Sequence, residues 1–199
     1  PSSGGVALVE MLNILEGFDL ADMGHNSADY LHVLTETMRR AYADRAEHLG
    51  DPDFNEGMPL QRLMDKDYAE TLRASIDMDA ASQSSPADFA QIYESEETTH
   101  FSIVDKEGNM VSMTYTLEFG YGSGIVVEGG GYLLNNEMGD FNAVPGVTTA
   151  RGLIGTAPNL IEPEKRPLSS MTPTIVAKDG KPIFTAGSPG GKTIINTTM

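Results

Sequence analysis

The sequence predicts an α+β chain with a helical first half and a strand-rich second half. In residues 1–76, apolar side chains recur every three or four positions, which is the spacing of one helix face. In residues 99–186, apolar and polar side chains partly alternate, and turn signals separate pairs of such segments. Between the halves, residues 77–86 have no apolar period, which predicts an exposed, mobile linker that leads up to Thr98.

Four helices are expected in the first half. The first covers residues 6–15 and stops at Gly17, and Asn26-Ser27 is predicted to cap a longer helix that ends at 50–52. Short helices are predicted after Met58-Pro59 and over 67–76. The apolar stripe predicted for the long helix consists of Tyr30, Leu31, Leu34, Met38, Ala41 and Tyr42.

Five strands are expected in the second half, and Gly-rich segments separate some of them. A hairpin turn at 106–109 and the Asp179-Gly180 pair each connect two strands. Residues 120–131 hold six Gly and are expected to form a loop or an edge. A helix start is expected at 192–194. The predicted strands cover 99–104, 110–117, 131–134, 174–177 and 182–186.

Composition narrows the classes of function. The 199 residues carry a formal net charge of −16, which disfavours binding to nucleic acid or to an anionic membrane because both need a basic surface. The chain has no Cys, so disulfides, thiolate metal sites and cysteine nucleophiles are excluded. Its four His residues show no metal-ligand spacing, and neither a metal nor another cofactor is expected. Both ends of the chain look like cuts through a longer protein.

Thr98 stands where the predicted linker stops and the strands begin. A Thr at this position is either an ordinary β-branched strand residue or a nucleophile. The second interpretation requires cleavage of the bond to Glu97, because the freed α-amino group of Thr98 then supplies the base.

Two pairs of residues lie in loops that are suited to binding an anion. Backbone N–H groups of Gly190 and Gly191, between a strand and a helix, are suited to hold an oxyanion, and a tight turn is the ordinary alternative. The hydroxyls of Ser169 and Ser170 are suited to donate to a carboxylate, but the pair taken alone favours an ordinary polar loop.

Two further pairs of candidate site residues carry a hydroxyl group or carboxyl groups. Thr116 and Glu118 alternate, which predicts that they share one strand face with Thr114. Glu137 and Asp140 follow an apolar segment, three positions apart, where they would bind a cation or an ammonium group. A solvated strand face and a solvated turn are the respective alternatives.

Several longer motifs occur in an order that is typical of one family. They cover residues 98–102, 135–141, 166–174 and 187–191, and earlier motifs cover 1–5, 12–17, 43–45 and 50–52. With these motifs the chain resembles the γ-glutamyltranspeptidase (glutathione hydrolase) family over essentially its whole length. The earlier motifs resemble the end of that family's large subunit.

The resemblance implies an N-terminal-nucleophile hydrolase fold, an αββα sandwich of which this chain holds a part. It implies a precursor that cuts itself between Glu97 and Thr98. Residues 1–97 would then end the large subunit and residues 98–199 would begin the small subunit. The remaining parts of both subunits are the implied protein partners, and a periplasmic or secreted location is implied by the family alone.

The resemblance also implies a role for each candidate residue. Thr98 is the nucleophile and Thr116 its hydrogen-bond partner, and the N–H groups of Gly190 and Gly191 stabilise the oxyanion. The carboxylates bind the α-ammonium group of the donor and two hydroxyls bind its α-carboxylate. These binding residues are Glu118, Glu137 and Asp140 for the ammonium group, and Ser169 and Ser170 for the carboxylate.

The implied reaction cleaves the γ-glutamyl amide bond of glutathione or a similar donor through an acyl-enzyme on Thr98. Water, an amino acid or a peptide then accepts the glutamyl group.

Two alternatives remain, namely an uncleaved, inactive precursor or fragment that only binds ligand, and a related β-lactam side-chain acylase. The sequence departs from the family at Glu118, where many members carry Asn, and at Arg151, where relatives with a lid often carry an aromatic residue within the loop 142–164.

Overall fold

The computed structural model describes residues 2–83, 97–142, 144–147 and 155–199. These residues form two compact units. The helical unit consists of Gly5–Gln91 and Asn142–Arg166, and the strand unit consists of Pro1–Gly4, Ile92–Phe141 and Pro167–Met199. The long helices and the strands therefore lie in different units, as the α+β prediction expected, although each unit combines distant parts of the sequence. The subunit boundary between residues 97 and 98 stays a prediction.

The helical unit contains each helix that the sequence predicted and one short helix more. Ser27 caps the long helix, since its Oγ accepts from the N–H of Tyr30 at 3.1 Å. Asp65 caps the last helix by accepting from the N–H of Asp67 at 2.8 Å. The helices are α1 (Gly4–Leu15), α2 (Leu20–Met23), α3 (Ala28–His48), α4 (Leu60–Leu63) and α5 (Lys66–Ala74).

The predicted apolar stripe of α3 is partly wrong. Leu31 is 47% exposed, whereas the buried face of the helix includes Glu36 and Thr37. Glu36 tolerates burial because Arg40 Nη1 donates to its Oε2 at 2.6 Å and the N–H of Ser82 donates to its Oε1 at 3.1 Å. A buried carboxylate with such partners is invisible to a pattern that counts only apolar residues.

The start of the predicted linker is also held more closely than its composition suggests. Residues 77–83 are mostly exposed, but the N–H of Ser82 donates to Glu36 and the carbonyl of Asp77 lies 2.8 Å from His32 Nε2. Burial acts to raise the pKa of Glu36, yet the hydrogen bonds from Ser82 and Arg40 lower this pKa to about 2. The remainder of the predicted linker, residues 84–96, lies outside the described residues.

The strand unit is built from two antiparallel hairpins. The first hairpin pairs Phe101 with Met113, and its turn is closed by Asp105, whose Oδ1 accepts from the N–H of Asn109 at 2.8 Å. The second hairpin turns at Asp179 and Gly180, both of which have positive φ. The strands are β1 (Thr99–Val104), β2 (Met110–Tyr115), β3 (Thr174–Lys178) and β4 (Lys181–Ala186), and α6 (Ile194–Thr198) follows them.

The strand predicted at 131–134 is wrong. Leu133 forms only an isolated bridge with Val126. Gly129 and Gly131 adopt positive φ values of 75° and 69°, so the backbone turns where a strand would need to stay extended. The Gly-rich segment therefore folds as a series of turns.

The two hairpins contact each other through polar side chains. Ser112 Oγ donates to the carbonyl of Ala186 at 3.1 Å, and Ser102 Oγ lies 3.3 Å from Thr185 Oγ1. The opposite face of the first hairpin is apolar and exposed, with Phe101, Ile103, Val111, Met113 and Tyr115 all at least 39% accessible. Among the described residues, no helix is long and apolar enough to cross a membrane.

Candidate active site

Thr98 and Thr116 meet at the open end of the first hairpin. Because Thr99 pairs with Tyr115, continuing the antiparallel register places Thr98 opposite Thr116. Thr98 is only 9% exposed, and its Oγ1 donates to Thr116 Oγ1 at 3.3 Å. The hydroxyl predicted to be a nucleophile therefore lies next to the hydroxyl predicted to be its partner.

A pocket opens beside these two hydroxyls. It has an empty volume of about 330 Å³. Its lining brings together eight of the predicted site residues from five separate stretches of the sequence. The lining residues are Thr98, Thr116, Glu118, Glu137, Asp140, Ser169, Ser170, Met171, Gly191 and Ile194.

Glu118 reaches the pocket by a different route from the one predicted. Strand β2 ends at Tyr115, so strand alternation does not extend to Glu118. The residue instead adopts a φ of +73°, and its N–H donates to Thr116 Oγ1 at 2.9 Å. Thr116 Oγ1 thus accepts hydrogen bonds from both the hydroxyl of Thr98 and the N–H of Glu118. This one oxygen atom therefore holds the two residues close together.

Glu137 and Asp140 lie on a short 3₁₀ helix, Glu137–Asp140. Residues three apart align on such a helix, so both carboxyl groups point to the same side. Burial, together with the nearby charges of Asp140 and Glu118, raises the pKa of Glu137 to about 7. Burial and the charge of Asp140 also raise the pKa of Glu118, while Lys192 acts to lower it.

Ser169 and Ser170 are held against the pocket by the beginning of the chain. The N–H and the Oγ of Ser3 both donate to the carbonyl of Ser169 at 2.8 Å. Ser169 Oγ accepts from the N–H of Met171 at 3.1 Å, and Thr172 Oγ1 donates to the carbonyl of Ser170 at 2.9 Å. These contacts fix the backbone of the Ser pair and leave both residues lining the pocket.

The Gly pair is brought to the site only in part. Gly191 lines the pocket, but Gly190 is not among the lining residues. Gly190 has a φ of +127° and Gly191 a φ of +54°, which explains why Gly occupies both positions. Gly190 precedes a 3₁₀ helix, Gly191–Thr193, so backbone N–H groups at its start are available to an anion.

Sequence reasoning missed three residues of the site. Met171 and Ile194 line the pocket, and Lys192 is close enough to influence Glu118. Met171 follows the Ser pair directly and Lys192 follows Gly191, so proximity to the predicted motifs was the available signal.

Arg151 and most of the loop centre, residues 148–154, lie outside the described residues. In the described part of the chain, no group of three or more His, Asp or Glu residues is arranged to hold a metal.

This arrangement combines an anion-binding side with a cation-binding side around one hydroxyl. The hydroxyls of Ser169 and Ser170 suit a carboxylate, and the carboxyl groups of Glu137 and Asp140 suit an ammonium group. Oε1 of Glu137 is buried and has no hydrogen-bond partner among the described residues. These two kinds of group are chemically complementary to the carboxylate and the ammonium group of a zwitterionic amino acid.

Comparison with known proteins gives three related findings. Residues 1–199 match the family described as gamma-glutamyltranspeptidase. A glutathione hydrolase proenzyme of Escherichia coli (strain K12) is 52% identical over 202 residues, which cover 100% of this chain and 34% of that protein. An acylase ACY 1 proenzyme of Pseudomonas sp. (strain SE83) is 38% identical, covering 100% of this chain and 33% of that protein.

A solved structure extends the similarity to the fold. The crystal structure of cephalosporin acylase from Bacillus halodurans superimposes with a TM-score of 0.67 at 25% identity. The match covers 94% of this chain and 30% of that one. The chain therefore spans about a third of the length of the relatives that it matches.

Proposed function

The chain belongs to the γ-glutamyltranspeptidase family and has part of an N-terminal-nucleophile hydrolase fold, and we propose that the whole protein is an autoprocessing γ-glutamyl hydrolase/transferase. The observation that carries the proposal is the placement of Thr98 Oγ1, 3.3 Å from Thr116 Oγ1, in a pocket with both carboxyl and hydroxyl groups. Glutathione and related γ-glutamyl compounds are the proposed donors.

The first proposed step is cleavage of the chain before Thr98. Thr98 Oγ attacks the carbonyl carbon of Glu97, and its proton passes to the nitrogen of Thr98 as the C–N bond breaks. The resulting ester is hydrolysed by water, which leaves a carboxylate on Glu97 and a free amino group on Thr98. The uncleaved chain lacks this base because the same nitrogen is then an amide.

The second proposed step is acyl transfer. The freed amino group, whose pKa is about 7.7–8.0 in model peptides, accepts the proton of Thr98 Oγ at neutral pH. Oγ then attacks the γ-carbonyl of the donor, and the amine of the leaving group takes up the proton. The N–H groups of Gly190 and Gly191 are proposed to stabilise the oxyanion, and one such donor is worth about 3 kcal/mol in other enzymes. Water, an amino acid or a peptide then releases the glutamyl group.

Donor recognition is proposed to use both sides of the pocket. Ser169 and Ser170 bind the α-carboxylate, and Asp140, helped by Glu137 and Glu118, binds the α-ammonium group. This pairing also bears on the acylase alternative, because a glutaryl donor has no ammonium group to offset three carboxyl groups. The relative turnover of γ-glutamyl and glutaryl amides discriminates between the two activities.

The remaining parts of the large and small subunits are proposed to cover the apolar face of the first hairpin. Five large side chains are exposed on this face, from Phe101 to Tyr115. Exposed apolar patches of this kind mark interaction surfaces. The relatives are about three times as long as this chain, so the longer protein has ample sequence to cover the face.

The proposal is tested with Thr98→Ala in the full-length protein. The parent protein is expected to appear in mass spectra as two pieces split before Thr98 and to release p-nitroaniline from γ-glutamyl-p-nitroanilide. The variant is expected to stay intact and to release none, because it has lost the attacking oxygen. Thr98→Ser, which keeps a hydroxyl, is the matched control and should retain cleavage. An intact, inactive parent protein would support the inactive-precursor alternative, and cleavage of Thr98→Ala would disprove the assignment of the nucleophile.

A further inference from the structure

His100 lies on the polar face of the first hairpin, two positions after Thr98. Side chains alternate along a strand, so both residues face the side opposite to the exposed apolar face. His100 pairs with Thr114 across the hairpin, and its Nδ1 lies 2.9 Å from Thr114 Oγ1. Its Nε2 lies 3.1 Å from Ser102 Oγ. Both ring nitrogens therefore have hydroxyl partners, which fix the position of the ring.

The ring of His100 packs against the start of the loop that carries Gly190 and Gly191. This segment, residues 187–191, follows β4 directly and is called the oxyanion loop below. A Cβ at Gly187 would overlap the imidazole ring, and the three atoms nearest to such a Cβ all belong to His100. Gly187 does not share the positive φ of Gly190 and Gly191. The ring, rather than the backbone conformation, therefore requires a glycine at position 187.

Two further contacts attach the end of β4 to the same polar face. Ser102 Oγ lies 3.3 Å from Thr185 Oγ1, and Ser112 Oγ donates to the carbonyl of Ala186 at 3.1 Å. With the ring packed on Gly187, three consecutive residues of the second hairpin and its loop contact the first hairpin. The start of the oxyanion loop is thus held by the strands that also place the proposed nucleophile.

The far end of the oxyanion loop is fixed as well. The carbonyl of Gly190 accepts from the N–H of Thr193 at 3.0 Å and from its Oγ1 at 2.7 Å. Only Ser188 and Pro189 separate Gly190 from Gly187, and the ring of Pro189 restricts its own φ. A loop that is this short and is held at both ends transmits a displacement of Gly187 to the N–H groups that are proposed to bind the oxyanion.

We infer that His100 is a positioning residue, which holds the oxyanion loop at the correct distance from the hydroxyl of Thr98. The inference rests on the proposed function, in which N–H groups of this loop stabilise the oxyanion. His100 is not among the residues that line the pocket, so it acts through Gly187 rather than on the substrate. Because the residues proposed to bind the donor lie on other segments, the loss of His100 should slow the reaction without weakening the binding of the glutamyl group.

The inference is tested with His100→Ala in the full-length protein, once mass spectra show that it is cleaved before Thr98. We expect kcat for γ-glutamyl-p-nitroanilide to fall by about tenfold to hundredfold, because misplaced oxyanion donors stabilise the transition state less. We expect the inhibition constant of L-glutamate to stay the same, since this product of hydrolysis binds without forming a tetrahedral intermediate. General damage to the fold would weaken both quantities.

Gly187→Ala tests whether the ring and the oxyanion loop act on each other. Alone, it should also lower kcat, because its methyl group overlaps the ring of His100. Combined with His100→Ala it should cause no further loss, whereas independent residues would multiply their effects. Gly130→Ala is the matched control, since its Cβ would meet the ring of Tyr132 away from the lining residues, and it should leave kcat unchanged.

Three results would overturn this inference while the proposed function stands. They are an unchanged kcat in His100→Ala, multiplied effects in the double variant, and a loss of L-glutamate affinity as large as the loss of kcat. Gly187→Ala serves as the second variant if His100→Ala folds poorly or stays uncleaved, and an unchanged kcat there would also overturn the inference. A parent protein that is cleaved but releases no p-nitroaniline would overturn the proposed function, and this inference with it.

Discussion

Single side chains at the beginning of the chain position the proposed carboxylate-binding pair. Ser3 is 1% exposed and uses both its N–H and its Oγ on the carbonyl of Ser169. Ser2 Oγ donates to the carbonyl of Met171 at 2.5 Å, and a Cβ at Gly4 would overlap Thr172. The Ser-Ser-Gly motif thus acts on the site through the backbone of residues 169–172, without lining the pocket itself.

Replacing Ser3 by Ala is therefore expected to weaken donor binding. The variant loses one of two hydrogen bonds to Ser169, and one such bond is worth about 0.5–1.5 kcal/mol, or about twofold to tenfold in affinity. We expect KM for γ-glutamyl-p-nitroanilide to rise by this factor while kcat stays the same, since Thr98 is not disturbed. Ser123→Ala, which removes an exposed hydroxyl of the same unit, serves as the control. A fall in kcat with constant KM would contradict the positioning role.

One ion pair attaches the second segment of the helical unit to the end of α3. Asp51, just beyond the end of α3, is 1% exposed and accepts from the N–H and Nε of Arg166 at 2.8 and 2.9 Å. Arg166 also donates to Asp53 at 2.6 Å, but Asp53 is exposed. The hydrogen bonds from Arg166 hold the pKa of Asp51 well below its usual range. The segment that ends at Arg166 is therefore attached to the end of a helix more than a hundred residues earlier.

Asp51→Asn is expected to lower the melting temperature of the protein by a few degrees, while Asp53→Asn changes it little. Both substitutions remove a charge next to Arg166, but only Asp51 is buried, where an unmatched hydrogen-bonding group is costly. Because the pKa of Asp51 is lower in the folded than in the unfolded state, its contribution is present in full at neutral pH. It begins to be lost as the pH falls below about 4 and is gone only below the depressed pKa of the folded state. Thermal melting at pH 7 and at about pH 2.5 measures both effects, and equal shifts for the two variants would contradict the assignment.

The core of the helical unit contains a carboxyl group that stays protonated. Glu10 is 1% exposed, and burial together with the neighbouring Asp44 raises its pKa to about 9. Asp44 also accepts from Tyr68 Oη at 2.6 Å and lies 3.7 Å from His48 Nε2. This network connects α1, α3 and α5, so its protonation affects the stability of the molecule rather than one element.

Glu10→Gln is expected to stabilise the protein increasingly as the pH rises. The folded state keeps the Glu10 proton, whereas the unfolded state loses it above the ordinary pKa of 4.5, so stability falls with rising pH between about 4.5 and 9. Glutamine donates to Asp44 at every pH and avoids this loss. Melting temperatures at pH 5 and pH 8.5 provide the measurement, with Glu70→Gln on the exposed side of α5 as control. The same difference at both pH values would show that Glu10 is ionised in the folded protein.

The positions of the helices and hairpins along the chain could be predicted from the sequence, because caps and turn residues mark them locally. Ser27 caps α3 and Asp179-Gly180 turns the second hairpin as expected. The prediction failed where distant residues decide the outcome, as for the buried face of α3, which contains Glu36 because Arg40 and Ser82 satisfy it. It failed also at 131–134, where the positive φ of neighbouring Gly residues replaces a strand by turns.

Motifs, periods and caps depend on residues close together along the chain, so the family, the order of the elements and the chemical groups of the candidate site could be predicted from them. The contact of Thr98 with Thr116, the hydrogen bond from Ser3 to Ser169 and the turn of Glu118 towards the pocket became visible only in the folded chain. The raised pKa values of Glu10 and Glu137 also depend on the folded structure. Burial and electrostatic repulsion depend on side chains that folding brings together, and no local pattern records these distances.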